Sequence, residues 1–156
     1  MLYLLLAAAL VAIDQLVKFA VRANIPLGGS VPFLPHVLEL TYCQNTGAAF
    51  SLFARHTWVL TVISGAAAVL LLVLLVRKKG LRHPLGRCIL ALLLAGAVGN
   101  LIDRAAFGYV TDMFRTLFMN FAIFNVADIC LTVGCFALAL YVILGYDKLE
   151  KKGGRQ

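Results

Sequence analysis

Apolar positions fall into four long runs separated by shorter polar stretches. The runs cover about 2–21, 57–76, 86–106 and 121–146. Each is close to the roughly 20 residues a helix needs to cross a hydrocarbon core of about 30 Å. Between the first two lies a segment of about 23–56 with Pro26, Pro32 and Pro35, followed by VLELTY at 37–42. There Leu38, Leu40 and Tyr42 alternate with Val37, Glu39 and Thr41, the period of a strand. AAFSLF at 48–53 is its expected partner across a turn at QNTG. The short, half-apolar segment at about 107–120 is expected to lie at the membrane interface. The pattern predicts one integral membrane domain over 1–156, mainly α, with four transmembrane helices and a small extracytoplasmic sheet.

Composition agrees. Of 156 residues, 62% are hydrophobic and 13% charged. A soluble domain would be about 45–50% apolar and about 25% charged. The net charge of +7 is placed rather than spread. Arg77, Lys78, Lys79, Arg82 and Arg87 lie between the second and third runs, and Lys148, Lys151, Lys152 and Arg155 lie at the end of the chain. By the positive-inside rule both clusters face the cytoplasm, which puts both termini there too. No basic stripe is interleaved with aromatics, so a nucleic-acid partner is not expected. The first run has no basic segment before it and continues past Asp14, so it is expected to stay as a signal anchor. Cys43, Cys88, Cys130 and Cys135 lack metal-ligand or CxxC spacing, and the three helical ones, Cys88, Cys130 and Cys135, read as small apolar fillers. His36, His56 and His83 read as loop residues. Neither a metal nor a cofactor is expected.

The exceptions to the apolar pattern converge. Asp14 lies past the middle of the first run, Asn100 and Arg104 in the outer half of the third, and Asp128 near the outer start of the fourth, roughly 10 Å deep. An aspartate at the centre of a membrane helix costs about 2.5–3.5 kcal/mol, so a partner or a use is required. Gly96, Asn100 and Arg104 share one helix face, Asn125 and Asp128 another, and Asp14 and Lys18 are one turn apart. Taken singly, Asp14 and Lys18 read equally well as an ion pair, Asn100 as interhelical glue, Asp103 as interfacial charge and Asp112 as an ordinary loop aspartate. Gly96 leaves room for a close approach to its backbone. If Asp112 and Asp128 met at about 4 Å, they would repel by on the order of 4 kcal/mol at an effective dielectric near 20. Such a pair holds one shared proton near neutrality. Its ionised member can take a proton from water while the other polarises a peptide carbonyl. A proton-coupled carrier also places carboxylates in helices, but usually near mid-membrane in repeated halves, and no repeat is visible. An assembly scaffold would use the same polar groups only to specify packing.

AIDQLVK at 12–18, QNTGAAF at 44–50, GAVGNLIDR at 96–104, GYVTDMF at 108–114 and FNVADI at 124–129 resemble, in order and placement, the bacterial lipoprotein signal peptidases, the signal peptidase II family. The resemblance spans nearly the whole chain. It implies four transmembrane helices, an outer β-cradle and a short interfacial helix. It implies an aspartyl endopeptidase of the bacterial cytoplasmic membrane, active toward the outer leaflet. Its substrates would be diacylglyceryl-modified prolipoproteins, cut just before the lipidated cysteine. Its other partners would be membrane lipids, and a monomer is expected. By motif, Asp112 and Asp128 correspond to the catalytic pair. Asn45, Asn100, Arg104 and Asn125 correspond to residues that line the site and bind substrate, with Asp14 and Gly96 in support. A short, apolar stretch between GYVTDMF and FNVADI is the one departure.

Overall fold

The computed structural model describes residues 1–47, 57–77 and 81–153, with no side-chain description for 144 and 146–153. Among the described residues, four helices are long and apolar enough to cross a membrane: α1 (Leu2–Asn24), α2 (Thr57–Val76), α3 (Pro84–Phe107) and α4 (Val126–Gly153, with Val126–Ile143 as its apolar length). Among the same residues, three strands, β1 (Ser30–Leu34), β2 (Leu38–Asn45) and β3 (Val110–Thr116), form one antiparallel sheet in the order β1-β2-β3.

The third helix is the centre of the bundle, packing against α1, α2 and α4. Lipid gives no hydrophobic drive to bring helices together, so close approach depends on small side chains. Ala91, Ala95, Gly96 and Gly99 supply it on α3 and are all buried. A Cβ at Gly96 would lie 2.5 Å from the Ala127 carbonyl oxygen, so α4 itself occupies that face. The face is closed by α4, which excludes a substrate chain there. Large side chains such as Phe19, Trp58, Phe136 and Ile143 point away from the bundle, where lipid would meet them.

Helix ends direct the chain into the sheet. His83 accepts from the Leu85 N–H, and Pro84 starts α3 where its missing N–H costs nothing. Gly108 ends α3 at φ 75°, a left-handed conformation that glycine adopts freely, with its N–H on the Arg104 carbonyl. The chain then enters β3 within two residues. Met113 is fully buried with Val21, Ile25 and Tyr42, which fixes the sheet to the end of α1.

Two expectations are revised, and one falls outside the described residues. Half of the segment at about 107–120 is strand β3 rather than an interfacial helix, because Val110, Thr111, Asp112 and Met113 are all buried between β2 and the helices. The fourth helix starts at Val126 rather than near 121. Phe124 instead bridges Phe114 in antiparallel fashion and brings the next residue beside β3. The partners of β2 are β1 and β3; the expected strand at 48–53 lies outside the described residues.

Candidate active site

Asp112 is the third residue of β3 and 2% exposed. It pairs with Cys43 across the sheet, so Asn45, two residues along β2, lies on the same face. Asn45 Nδ2 donates to Asp112 Oδ2 at 2.9 Å. Asn125 Nδ2 donates to Asp112 Oδ1 at 2.6 Å.

Asp128 stands in the first turn of α4, where backbone N–H groups have no helical partner. Asn125 caps that turn. Its Oδ1 accepts from the Asp128 N–H at 2.9 Å, and Asp128 Oδ2 accepts from the Asn125 N–H at 3.2 Å. This reciprocal pair is a capping box. Asp128 Oδ1 accepts from Asn100 Nδ2 at 2.8 Å. Each oxygen of both carboxylates thus receives an N–H donor. One wholly buried amide, Asn125, holds Asp112 with its nitrogen and the α4 start with its oxygen. These contacts explain how a carboxylate is tolerated at Asp128.

Burial, and then the charge of Asp128, pushes the Asp112 carboxyl up to about 6, although Asn45, Asn125 and Lys18 pull the other way. Asp128 is only partly buried and opens on a cavity of about 490 Å³. Phe121, Ile123, Phe124, Ile129 and Val133 make its walls apolar, and Asn45 joins Asp128 at its polar end.

Of the remaining expected residues, Asp14 is 1% exposed and accepts from the Ala127 N–H at 2.8 Å, which ties α1 to the start of α4. Arg104 stands to one side. Its hydrogen bonds, to Ser64 Oγ and the Gly47 carbonyl, are both 3.4 Å long. Its buried Nε has no hydrogen-bond partner among the described residues. Gly96 touches neither aspartate and serves the α3–α4 contact.

Sequence reasoning missed a layer beneath the site. Asp103, expected as interfacial charge, is fully buried and accepts from the Thr111 N–H at 2.8 Å. Lys18 lies between Asp14 Oδ2 at 2.9 Å and Asp103 Oδ2 at 3.6 Å. Gln15 Nε2 donates to the Gly99 carbonyl at 3.0 Å. The available signal was the uneven charge: two aspartates and one lysine inside apolar runs invite a shared partner.

Comparison with known proteins places this arrangement. The family model described as signal peptidase (SPase) II matches residues 6–144. A lipoprotein signal peptidase of Enterococcus faecalis is 44% identical over 153 residues, covering 97% of this chain and 92% of that protein. One from Lactiplantibacillus plantarum is 42% identical over 151 residues, covering 96% and 99%. Among solved structures, a bacterial membrane enzyme determined by the in meso method superposes with a TM-score of 0.84 at 29% identity, covering 90% of this chain and 87% of that one. The chain belongs to the signal peptidase II family.

Proposed function

We propose that, within this family, the chain is an aspartyl endopeptidase that removes signal peptides from diacylglyceryl-modified prolipoproteins, cutting just before the lipidated cysteine. The observation that carries the reading is the Asn125 amide, which bonds Asp112 and caps the helix turn bearing Asp128 at the polar end of an apolar cavity.

Asp112 holds the shared proton. It is the more buried member, and its carboxyl is pushed up to about 6. Asp128 is the base, since it is the carboxylate that opens to the cavity, where water and substrate can reach it. Water gives a proton to Asp128 as its oxygen attacks the scissile carbonyl carbon. Asp112 passes its proton to the carbonyl oxygen, giving a gem-diol. Asp128 then protonates the leaving nitrogen, the C–N bond breaks, and one diol hydroxyl returns its proton to Asp112. Both carboxyl groups end as they began. Arg104 and the second Nδ2 hydrogen of Asn45 hold substrate carbonyls, the Asn45 Oδ1 being taken by the Gly47 N–H.

The protein works in the bacterial cytoplasmic membrane as a monomer, with both termini inside and the site toward the outer leaflet. The basic clusters before α3 and after α4 support that orientation. A substrate whose acyl chains stay in the outer leaflet would present its scissile bond at this depth, beside apolar cavity walls.

The test is cleavage in proteoliposomes of a diacylglyceryl-modified prolipoprotein, with an unlipidated form as control. Wild type is expected to cut only the lipidated form, before the cysteine, and D112N and D128N to cut neither. Equal cleavage by both variants would sink the aspartyl mechanism.

A further inference from the structure

Lys18 is fully enclosed, yet the cleavage steps above use no ammonium. Its Nζ faces Asp14 Oδ2 at 2.9 Å, Asn100 Oδ1 at 3.0 Å, the Gly99 carbonyl at 3.4 Å and Asp103 Oδ2 at 3.6 Å. An ammonium only donates. Asn100 must therefore turn its oxygen toward Lys18, which leaves its nitrogen to donate to Asp128 Oδ1 at 2.8 Å. A flipped Asn100 amide would set its NH2 against the ammonium and its oxygen against a carboxylate. It would also oppose Asn125 Nδ2, which donates to Asn100 Oδ1 at 3.1 Å and to Asp112 at 2.6 Å.

We propose, resting on the peptidase function above, that Lys18 is a positioning residue for cleavage: it locks the Asn100 amide in the one orientation that donates to Asp128 and accepts from Asn125. Lys18 acts through Asn100, and a single cation thus sets donor direction along a chain ending at both aspartates. Without it, Asn100 can flip whenever Asp128 Oδ1 is protonated, because that O–H can donate to the amide oxygen. The dyad proton then gains a second resting place on the oxygen that Asn100 otherwise protects.

The charges around this chain are few. Asp14 faces Lys18 from its own helix and Asp103 from α3, with Arg22 beyond at 3.7 Å from Asp103. Around the aspartates themselves, Arg104 of α3 and Cys43 of β2 are within electrostatic reach. Removing the Lys18 charge raises the pH at which the Asp112 carboxyl ionises.

Two variants separate positioning from folding. K18M keeps side-chain length but leaves Asp14 and Asp103 without their ammonium, a costly change in a buried site. K18M/D14N removes one negative charge with the positive one, while Asp103 keeps Arg22 at 3.7 Å and the Thr111 N–H. Wild type, D14N, K18M and K18M/D14N would be compared in proteoliposomes for kcat, KM, pH profile and melting. Relative to D14N, the double variant is expected to melt alike, keep its KM, lose about 10²-fold in kcat and shift the alkaline pH limb upward. A double variant with the kcat of D14N, with an unshifted alkaline limb, or unfolded where D14N is folded would overturn the proposal. Wild type that cuts nothing would instead overturn the peptidase function.

Discussion

Asp14 on α1 accepts a hydrogen bond from the Ala127 N–H of α4 at 2.8 Å, one residue before Asp128. The first helix therefore sets the position of the fourth helix's first turn, and with it one of the two carboxylates. D14L removes the acceptor for Ala127 and the 2.9 Å partner of Lys18 together. Breaking a buried pair this way is expected to cost about 3–5 kcal/mol, with cleavage lost. D14N keeps an oxygen for Ala127 and is expected to unfold at higher denaturant than D14L. Unfolding titrations in detergent that place the two variants together would refute the role of the Ala127 contact.

Glycines on α3 and α2 should respond oppositely to the same change. A Cβ at Gly96 meets the Ala127 oxygen at 2.5 Å and Leu131 Cγ at 2.6 Å. G96A is expected to destabilise by about 1–3 kcal/mol and to slow cleavage, because the displaced backbone adjoins Asp128. At Gly65 the nearest atom is Leu101 Cδ1 at 3.9 Å. G65A should stabilise by about 0.5–1 kcal/mol with cleavage unchanged, since alanine is the better helix former. Melting curves and initial rates for both variants check this contrast.

The raised carboxyl of Asp112, about 6, makes a signed prediction about pH. Its folded value lies above the ordinary carboxylate value, so ionising it works against the fold. The stability it contributes is complete below about pH 4 and is lost as pH rises through about 6. D112N should flatten that slope, measured as denaturation midpoints across pH. Cleavage should fall on the alkaline side as the shared proton leaves. N45A removes a hydrogen bond that lowers the Asp112 value, so the alkaline limb should move upward.

Arg115 and Glu39 form a 3.1 Å ion pair with the Arg115 side chain 55% exposed. Pairs in that setting contribute about 0–1 kcal/mol and are screened by salt. R115A should therefore leave both melting and cleavage near wild type. A loss of several degrees at low salt would show that the pair does more than its exposure allows.

Much of the architecture is legible in the chain. Four apolar runs give four helices because length and hydropathy are local quantities. VLELTY gives β2 because alternation is local too. The expected start of the fourth helix near 121 was too early for a physical reason. Phe121, Ala122, Ile123 and Phe124 are apolar enough to continue the run, but Phe124 takes a backbone partner on β3 and Asn125 caps the helix. Asp103 misled in the same way. Beside Arg104 it resembles interfacial charge, but its fate depends on Lys18, 85 positions earlier, and on the Thr111 N–H.

The sequence by itself determined that this chain is a membrane protein, where its helices run, and which polar residues are out of place in them. It also carried the motifs shared with the signal peptidase II family. Only the tertiary structure decided what those residues do for one another: that Asn125 joins two carboxylates, that Asp14 holds α4, and that α4 fills the face of Gly96. Spacing fixes which side chains share a helix face. Which donor meets which acceptor depends on how separate helices and a strand are brought together, and that is set by packing around α3 rather than by any local stretch of sequence.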